Sequence, residues 1–152
     1  MIGDVFKPSA SKLGLSGSDY RLIRSKGWTS NGIWMIKTDL EPDYIKRLKE
    51  NNTTADPGKI LDKSDGAIYK LEVKNELTTG QFKTVLVKLA LTDESNVERA
   101  YFESWVNVYF LSLFLNLVAW RRVSFWTQGP LEQIFVKSND EIIGVIAPVR
   151  ID

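Results

Sequence analysis

The sequence contains no histidine and no cysteine. Those two absences exclude disulfides, zinc sites built on Cys or His, and the Ser-His and Cys-His nucleophile pairs. Also missing are a phosphate-binding P-loop and the spacings GxGxxG, HExxH and CxxC, so nucleotide, dinucleotide and metal chemistry have no motif beneath them. The chain reads as non-enzymatic and without a cofactor. An excess of charge is lacking as well: 20 Lys and Arg face 19 Asp and Glu, a formal charge of +1. Attraction to a polyanion by the whole molecule is excluded, and any contact with nucleic acid has to be local. The longest uncharged run, Ser104 to Trp120, is 17 residues and is interrupted by Ser104, Asn107, Ser112 and Asn116. A membrane span needs about 20 predominantly apolar residues, so this run predicts a core helix. Met1 to Pro8 has no basic start followed by an apolar run, from which a cytoplasmic protein is expected.

What is present is an ordinary folded composition, 43% hydrophobic and 26% charged over 152 residues. This length suits one domain, typically about 100 to 200 residues. Residues 1–19, with Pro8, Gly14 and Gly17, show no sustained period and read as an arm or irregular lead-in to a single domain over 20–152. Tyr20 to Arg24 and Gly32 to Lys37 are β-prone runs separated by turn residues, which predicts a hairpin. The period then changes. Asp39 as N-cap, Pro42 in the first turn and the stripe Tyr44, Ile45, Leu48 predict an amphipathic helix over 39–50.

Ala67 to Val73 alternates, with Tyr69, Leu71 and Val73 on one side, and Phe82 to Leu91 places Val85, Val87, Leu89 and Leu91 on one face. Two half-buried strands in an antiparallel pair are expected around Thr78-Thr79-Gly80. A short strand over 97–102 and a helix with its body over Trp105 to Leu117 follow. Strands are then predicted at Arg122 to Trp126, Ile134 to Val136 and Ile142 to Val149, and Pro148 implies a strand end or an edge. The second half reads strand, helix, strand, strand, strand. The first half reads nearly the same, which makes the fold class α+β.

Among candidate chemical features, the acidic pairs Asp93-Glu94 and Asp140-Glu141 fall in predicted turns, where carboxylates are solvated. Five tryptophans could stack on bases or sugars, but Trp105 and Trp120 lie on or beside the apolar helix and read as core; Trp28, Trp34 and Trp126 are open. Two features stand out. Lys46, Arg47 and Lys49 occupy one face of the first predicted helix, and Arg121 and Arg122 follow the second. Such cations can neutralise phosphates without reading sequence; alternatively they are a solvated helix face. The other feature is the C-terminal run from Glu141 to Ile151, an apolar strand that either packs or walls a groove.

The segment Tyr109 to Leu115, the strand Arg122 to Trp126, Gly129-Pro130-Leu131 and the terminal Val145-Ile146-Ala147-Pro148-Val149-Arg150-Ile151 together resemble the final domain of bacterial sliding clamps, the β subunit of DNA polymerase III. The resemblance covers about 45 residues. It implies a DNA-clamp-like domain of two β-α-β-β-β halves, with two helices facing DNA and packed on antiparallel sheets. It further implies that Val145, Ala147, Pro148 and Val149 help line a pocket for short peptides of replication proteins. Ala147 and Val149 stand where the family has methionines, so that pocket would be shallower, or unused. One such domain cannot encircle DNA alone. The implied function is that of a divergent single-domain relative, of phage or mobile-element type, acting on duplex DNA as a homo-oligomer. The rival expectation is a clamp-fold protein interaction module that does not bind DNA.

Overall fold

The computed structural model describes residues 2–51, 56–92, 101–118 and 122–151. Nine strands form one sheet in the order β1-β2-β3-β9-β8-β7-β4-β5-β6, and every neighbouring pair is antiparallel. They are β1 (Ile23–Ser25), β2 (Trp28–Ser30), β3 (Trp34–Lys37), β4 (Tyr69–Thr79), β5 (Val85–Leu91), β6 (Glu103–Asn107), β7 (Val123–Thr127), β8 (Ile134–Ser138) and β9 (Glu141–Ile146). The helices are α1 (Ile2–Val5), α2 (Asp43–Lys46), α3 (Pro57–Leu61) and α4 (Val108–Leu117). The class is α+β, with short helices on a large antiparallel sheet. Among the described residues no helix is long and apolar enough to cross a membrane.

The first half departs from expectation in two places. The predicted hairpin is a three-stranded meander, because Trp28-Thr29-Ser30 pairs on both sides, with β1 and with β3. Lys26 and Gly27 both take positive φ, 51° and 85°, the backbone of a two-residue type I′ turn that matches the twist of the strands it joins. The predicted helix over 39–50 shrinks to one turn, α2, preceded by a 3-10 turn at Thr38–Leu40; Pro42, not Asp39, is the residue before its first turn. The cause is tertiary. Arg24 donates to the carbonyls of Ile45 (2.9 Å) and Leu48 (2.8 Å), and Asn51 turns back to bond Leu22 on both its backbone and side-chain sides. The Ile45 carbonyl also accepts from Leu48 N–H at 3.0 Å, a three-residue step in place of the four-residue ladder, and the helix ends in that tightened turn.

The second half follows the predicted order, β6, α4, β7, β8, β9. Its helix starts three residues later than expected, for Trp105 and Val106 belong to β6, paired with Lys88 and Val87 of β5. The side chain of Asn107 accepts from Tyr109 N–H at 2.9 Å and caps α4 there. The alternation of β4 and β5 and their antiparallel pairing are as read. Of the expected strand over 97–102, residues 97–100 lie outside the described residues; Phe102 stacks edge-on against Tyr69 at 5.5 Å.

Both faces of the sheet are used, unequally. On the larger side, α4 buries Val108, Phe110, Leu111, Leu113 and Phe114 against Trp34 and Ile36 of β3, Leu71 of β4, Val87 and Leu89 of β5 and Ile146 of β9. Gly144 is what lets Phe114 lie on β9: a Cβ there would stand 2.1 Å from the ring. Residues 2–19 hold α1 and are otherwise irregular yet packed, since Leu13 and Leu15 are buried in this core and the indole of Trp34 donates to the Leu13 carbonyl at 3.0 Å. On the opposite side, Met35, Ala67, Phe135 and Val145 form a smaller cluster, joined by Trp28 and Trp126 and by Ile60 and Leu61 of α3.

Candidate nucleic-acid and protein interfaces

Lys46 ends α2, Arg47 and Lys49 follow it, and all three are exposed. Their turn is fastened beneath. Ile45 is fully buried, and Tyr44 is half-buried with its hydroxyl pKa pushed up to about 12 by that burial. Arg24 holds the carbonyls described above and binds Glu41 through two nitrogens, at 2.8 and 3.0 Å, while also reaching Glu50 at 2.9 Å. The Glu41 side chain is only 3% exposed and also accepts from the Thr29 hydroxyl. The bond to Glu41 raises the Arg24 pKa above its ordinary value, and the bond from Arg24 lowers that of Glu50. Arg24 balances only one of the two carboxylates it binds, so with the exposed Asp39 and Asp43 four carboxylates stand against Arg24, Lys46, Arg47 and Lys49. The anchored turn presents three exposed cations without a net positive excess around them.

Arg122 is exposed at the entry to β7 and belongs to the other half of the chain. No hydrogen bond or ion pair among the described residues ties it to the first three cations. Arg121 lies outside the described residues, as do Trp120 and the Asp93-Glu94 pair.

The terminal run behaves differently from a groove wall. Val145 is 2% exposed and packs among Met35, Ala67 and Phe135, so its side chain is core and cannot line an open pocket. The last strand ends at Ile146, short of Pro148, in keeping with proline's place at a strand end. Ala147, Pro148 and Val149 are half-buried. Ala147 N–H donates to Ile33 at 2.9 Å and Val149 N–H donates to Trp105 at 2.7 Å, with the donorless Pro148 between them. This segment therefore runs from beside β3 to the outer edge of β6, drawing two distant parts of the sheet together around α4.

Two concavities on the smaller face were not legible in the sequence. One, about 590 Å³, is lined by Ser64, Asp65, Ile68, Trp126, Lys137 and Asp140. Lys70 and Lys137 lie 5.9 and 5.0 Å from the indole of Trp126. The other, about 220 Å³, lies between the meander and α3, walled by Ile23, Trp28, Met35, Pro57 and Ile60 with Arg21 and Asp56 beside them. Of the three tryptophans left open, Trp34 is thus core, while Trp28 and Trp126 border concavities. Trp105, expected in the core, is half-buried on β6 opposite Lys88. Lys88 bonds Glu76 at 2.8 Å and Glu103 at 3.3 Å, and the bond to Glu76 raises its pKa.

Phe82 is the other feature that sequence reading missed. Placed at the start of β5 by its neighbours, it instead sits in the Gly80–Thr84 connection and is 97% exposed. The available signal was parity: Phe82 is out of step with Val85, Val87 and Leu89. No group of three or more metal-ligating side chains occurs among the described residues. No family model matches the chain, and no curated protein or solved structure is significantly similar to it.

Proposed function

We propose that this chain is a non-enzymatic, clamp-like module associated with DNA replication, which assembles in several copies and meets duplex DNA through Lys46, Arg47 and Lys49, with Arg121 and Arg122 as a second contact. The observation that carries the reading is the strand order. β3, which leads into α2, pairs with β9, the last strand of the second half; β6, which leads into α4, pairs with β5, the last described strand of the first. β4 and β7, the strands that follow each helical segment, pair antiparallel, with five strands beyond β7 and two beyond β4. This exchange of strands between the two halves of the chain is what supports reading an internal repeat. Contacts to phosphate by surface cations are sequence-independent and weaken steeply with salt.

Titration of duplex DNA at increasing salt tests this. Binding that falls as salt rises is expected, and reversing Lys46, Arg47 and Lys49 to Glu should abolish it while the circular dichroism spectrum is unchanged. Absence of affinity even at low salt would remove DNA from the proposal.

The second reading, a clamp-fold module that contacts protein partners and not DNA, is favoured by a specific pair of observations: Asp39 and Asp43 stand beside the three cations, and Phe82 is held in solvent. Ala147, Pro148 and Val149 keep a partly exposed surface that a peptide could touch, whereas Val145 does not.

A further inference from the structure

The sheet ends on two edges that are closed in different ways. β1 is three residues long, and Asn51 closes its entry, donating to the Leu22 carbonyl at 3.1 Å and accepting from Leu22 N–H at 2.9 Å. β6 is five residues long, and its outer side carries one hydrogen bond, from Val149 N–H to the Trp105 carbonyl at 2.7 Å. An uncovered edge is a template for pairing with another chain, and natural sheets cover it. The cover on β6 is thin. Ala147 is tied back to Ile33, Pro148 has no N–H to give, and Arg150 and Ile151 are exposed and make no backbone bond among the described residues.

The inner neighbour of β6 shows which of its backbone groups face outward. Leu91 N–H donates to the Phe102 carbonyl at 3.3 Å, so Phe102, Ser104 and Val106 turn toward β5, and Glu103, Trp105 and Asn107 turn away from it. An antiparallel partner centred on Trp105 sets Trp105 against its own copy, Ser104 against Val106, and Glu103 against Asn107. No like charges then stand opposite each other, the Glu103 carboxylate meets an amide, and two half-buried indoles share one face. The strand Glu103–Asn107 is complementary to itself, which is what a two-fold contact between identical copies requires.

We propose that residues 147–149 are a displaceable latch on β6, and that the edge they uncover pairs with β6 of a second copy. The apparent affinity between copies is then set by the fraction of molecules whose latch is open. The proposal gives the assembly part of the function above a contact and a control; it rests on that part alone and not on DNA.

The test is solution mass against concentration, by sedimentation without DNA, so that its failure is separate from failure of DNA binding in the salt titration. Val149→Pro deletes the N–H that closes the edge and should lower the dissociation constant of the pair at least tenfold. Val149→Ala keeps that N–H and should change it far less. Adding Trp105→Glu to Val149→Pro places two carboxylates against each other at the two-fold centre, each with Lys88 beside it in its own chain, and should return the protein to a monomer. A strand exchanged between copies predicts the reverse, because Val149→Pro would then weaken association. In the native chain, where no variant has to fold, the Val149 amide should exchange with solvent far faster than that of Val87 inside the sheet. Association that Val149→Pro leaves unchanged or weakens, a double variant that still pairs, or a Val149 amide as protected as that of Val87 would each overturn the proposal. A native chain that stays monomeric while Val149→Pro pairs supports the latch and removes assembly from the function of the native chain.

Discussion

The two helical segments of this chain are held in place by opposite means. α4 is ten residues long, capped by Asn107 and clasped by apolar side chains, with Phe114 seated on the bare backbone of Gly144. α2 is a single turn fixed by one guanidinium, whose partners are Glu41, Glu50 and the carbonyls of Ile45 and Leu48. An apolar clasp tolerates a full-length helix, since packing engages side chains and leaves the ladder of backbone bonds alone. A polar clasp at carbonyls anchors the last turn where it tightens, the Ile45 carbonyl accepting both from Arg24 and from Leu48 N–H. It also leaves Lys46, Arg47 and Lys49 on a turn whose position depends on a buried ion pair.

Three substitutions probe that contrast, from the strongest effect down. Phe114→Ala removes the centre of the apolar clasp and should cost about 3–5 kcal/mol in denaturant unfolding. A loss below about 1 kcal/mol would show that α4 is held elsewhere. Arg24→Leu leaves Glu41 buried without its partner and should cost about 3 kcal/mol, near the lower end for a broken buried pair because Arg24 is 19% exposed. The double change Arg24→Leu with Glu41→Leu should recover much of that loss, as no charge is then stranded; equal losses in the single and double variants would contradict the account. Only the Arg24 variants should also loosen the exposed turn, visible as faster amide exchange over 43–50.

The smallest effect is one of pH. The folded pKa of Glu50 is below its ordinary value, so its contribution is present above the unfolded pKa of about 4.3 and is lost as pH falls through the lower folded value. Glu50→Gln should therefore lower stability slightly near neutrality, where that contribution is present, and flatten the acid limb, so that variant and wild type converge at low pH. An identical acid limb in the variant would show that Arg24 does not hold Glu50 in solution.

This contrast also explains what could be read from the residues alone. The strands β4 and β5 were legible because Tyr69, Leu71, Val73 and Val85, Val87, Leu89 each alternate locally, and local period decides the face. α4 was legible for a similar reason, except at its start, where the uncharged run hid the boundary that Asn107 sets. The end of α2 was not legible, since Arg24 reaches it from another strand and nothing near Leu48 announces a stop. β2 was hidden as well: Trp28-Thr29-Ser30 lies between turn residues and becomes a strand only because neighbours exist on both sides. Among the site residues, Lys46, Arg47 and Lys49 are exposed, as their charge requires, but the helix expected to carry them ends at Lys46, so Arg47 and Lys49 lie beyond it. The fate of Val145 was not legible, because its burial depends on Met35 and Phe135 from two other strands.

One pairing, β3 with β9, sets a schedule for the chain. Ile36 lies beside Gly144, so the N-terminal meander is synthesised long before its partner strand leaves the ribosome. Until then the edge of β3 is unpaired. Folding is therefore expected to complete late, at the pace of long-range strand pairing, with an interval in which a nascent chain could lend its open edge to a neighbour.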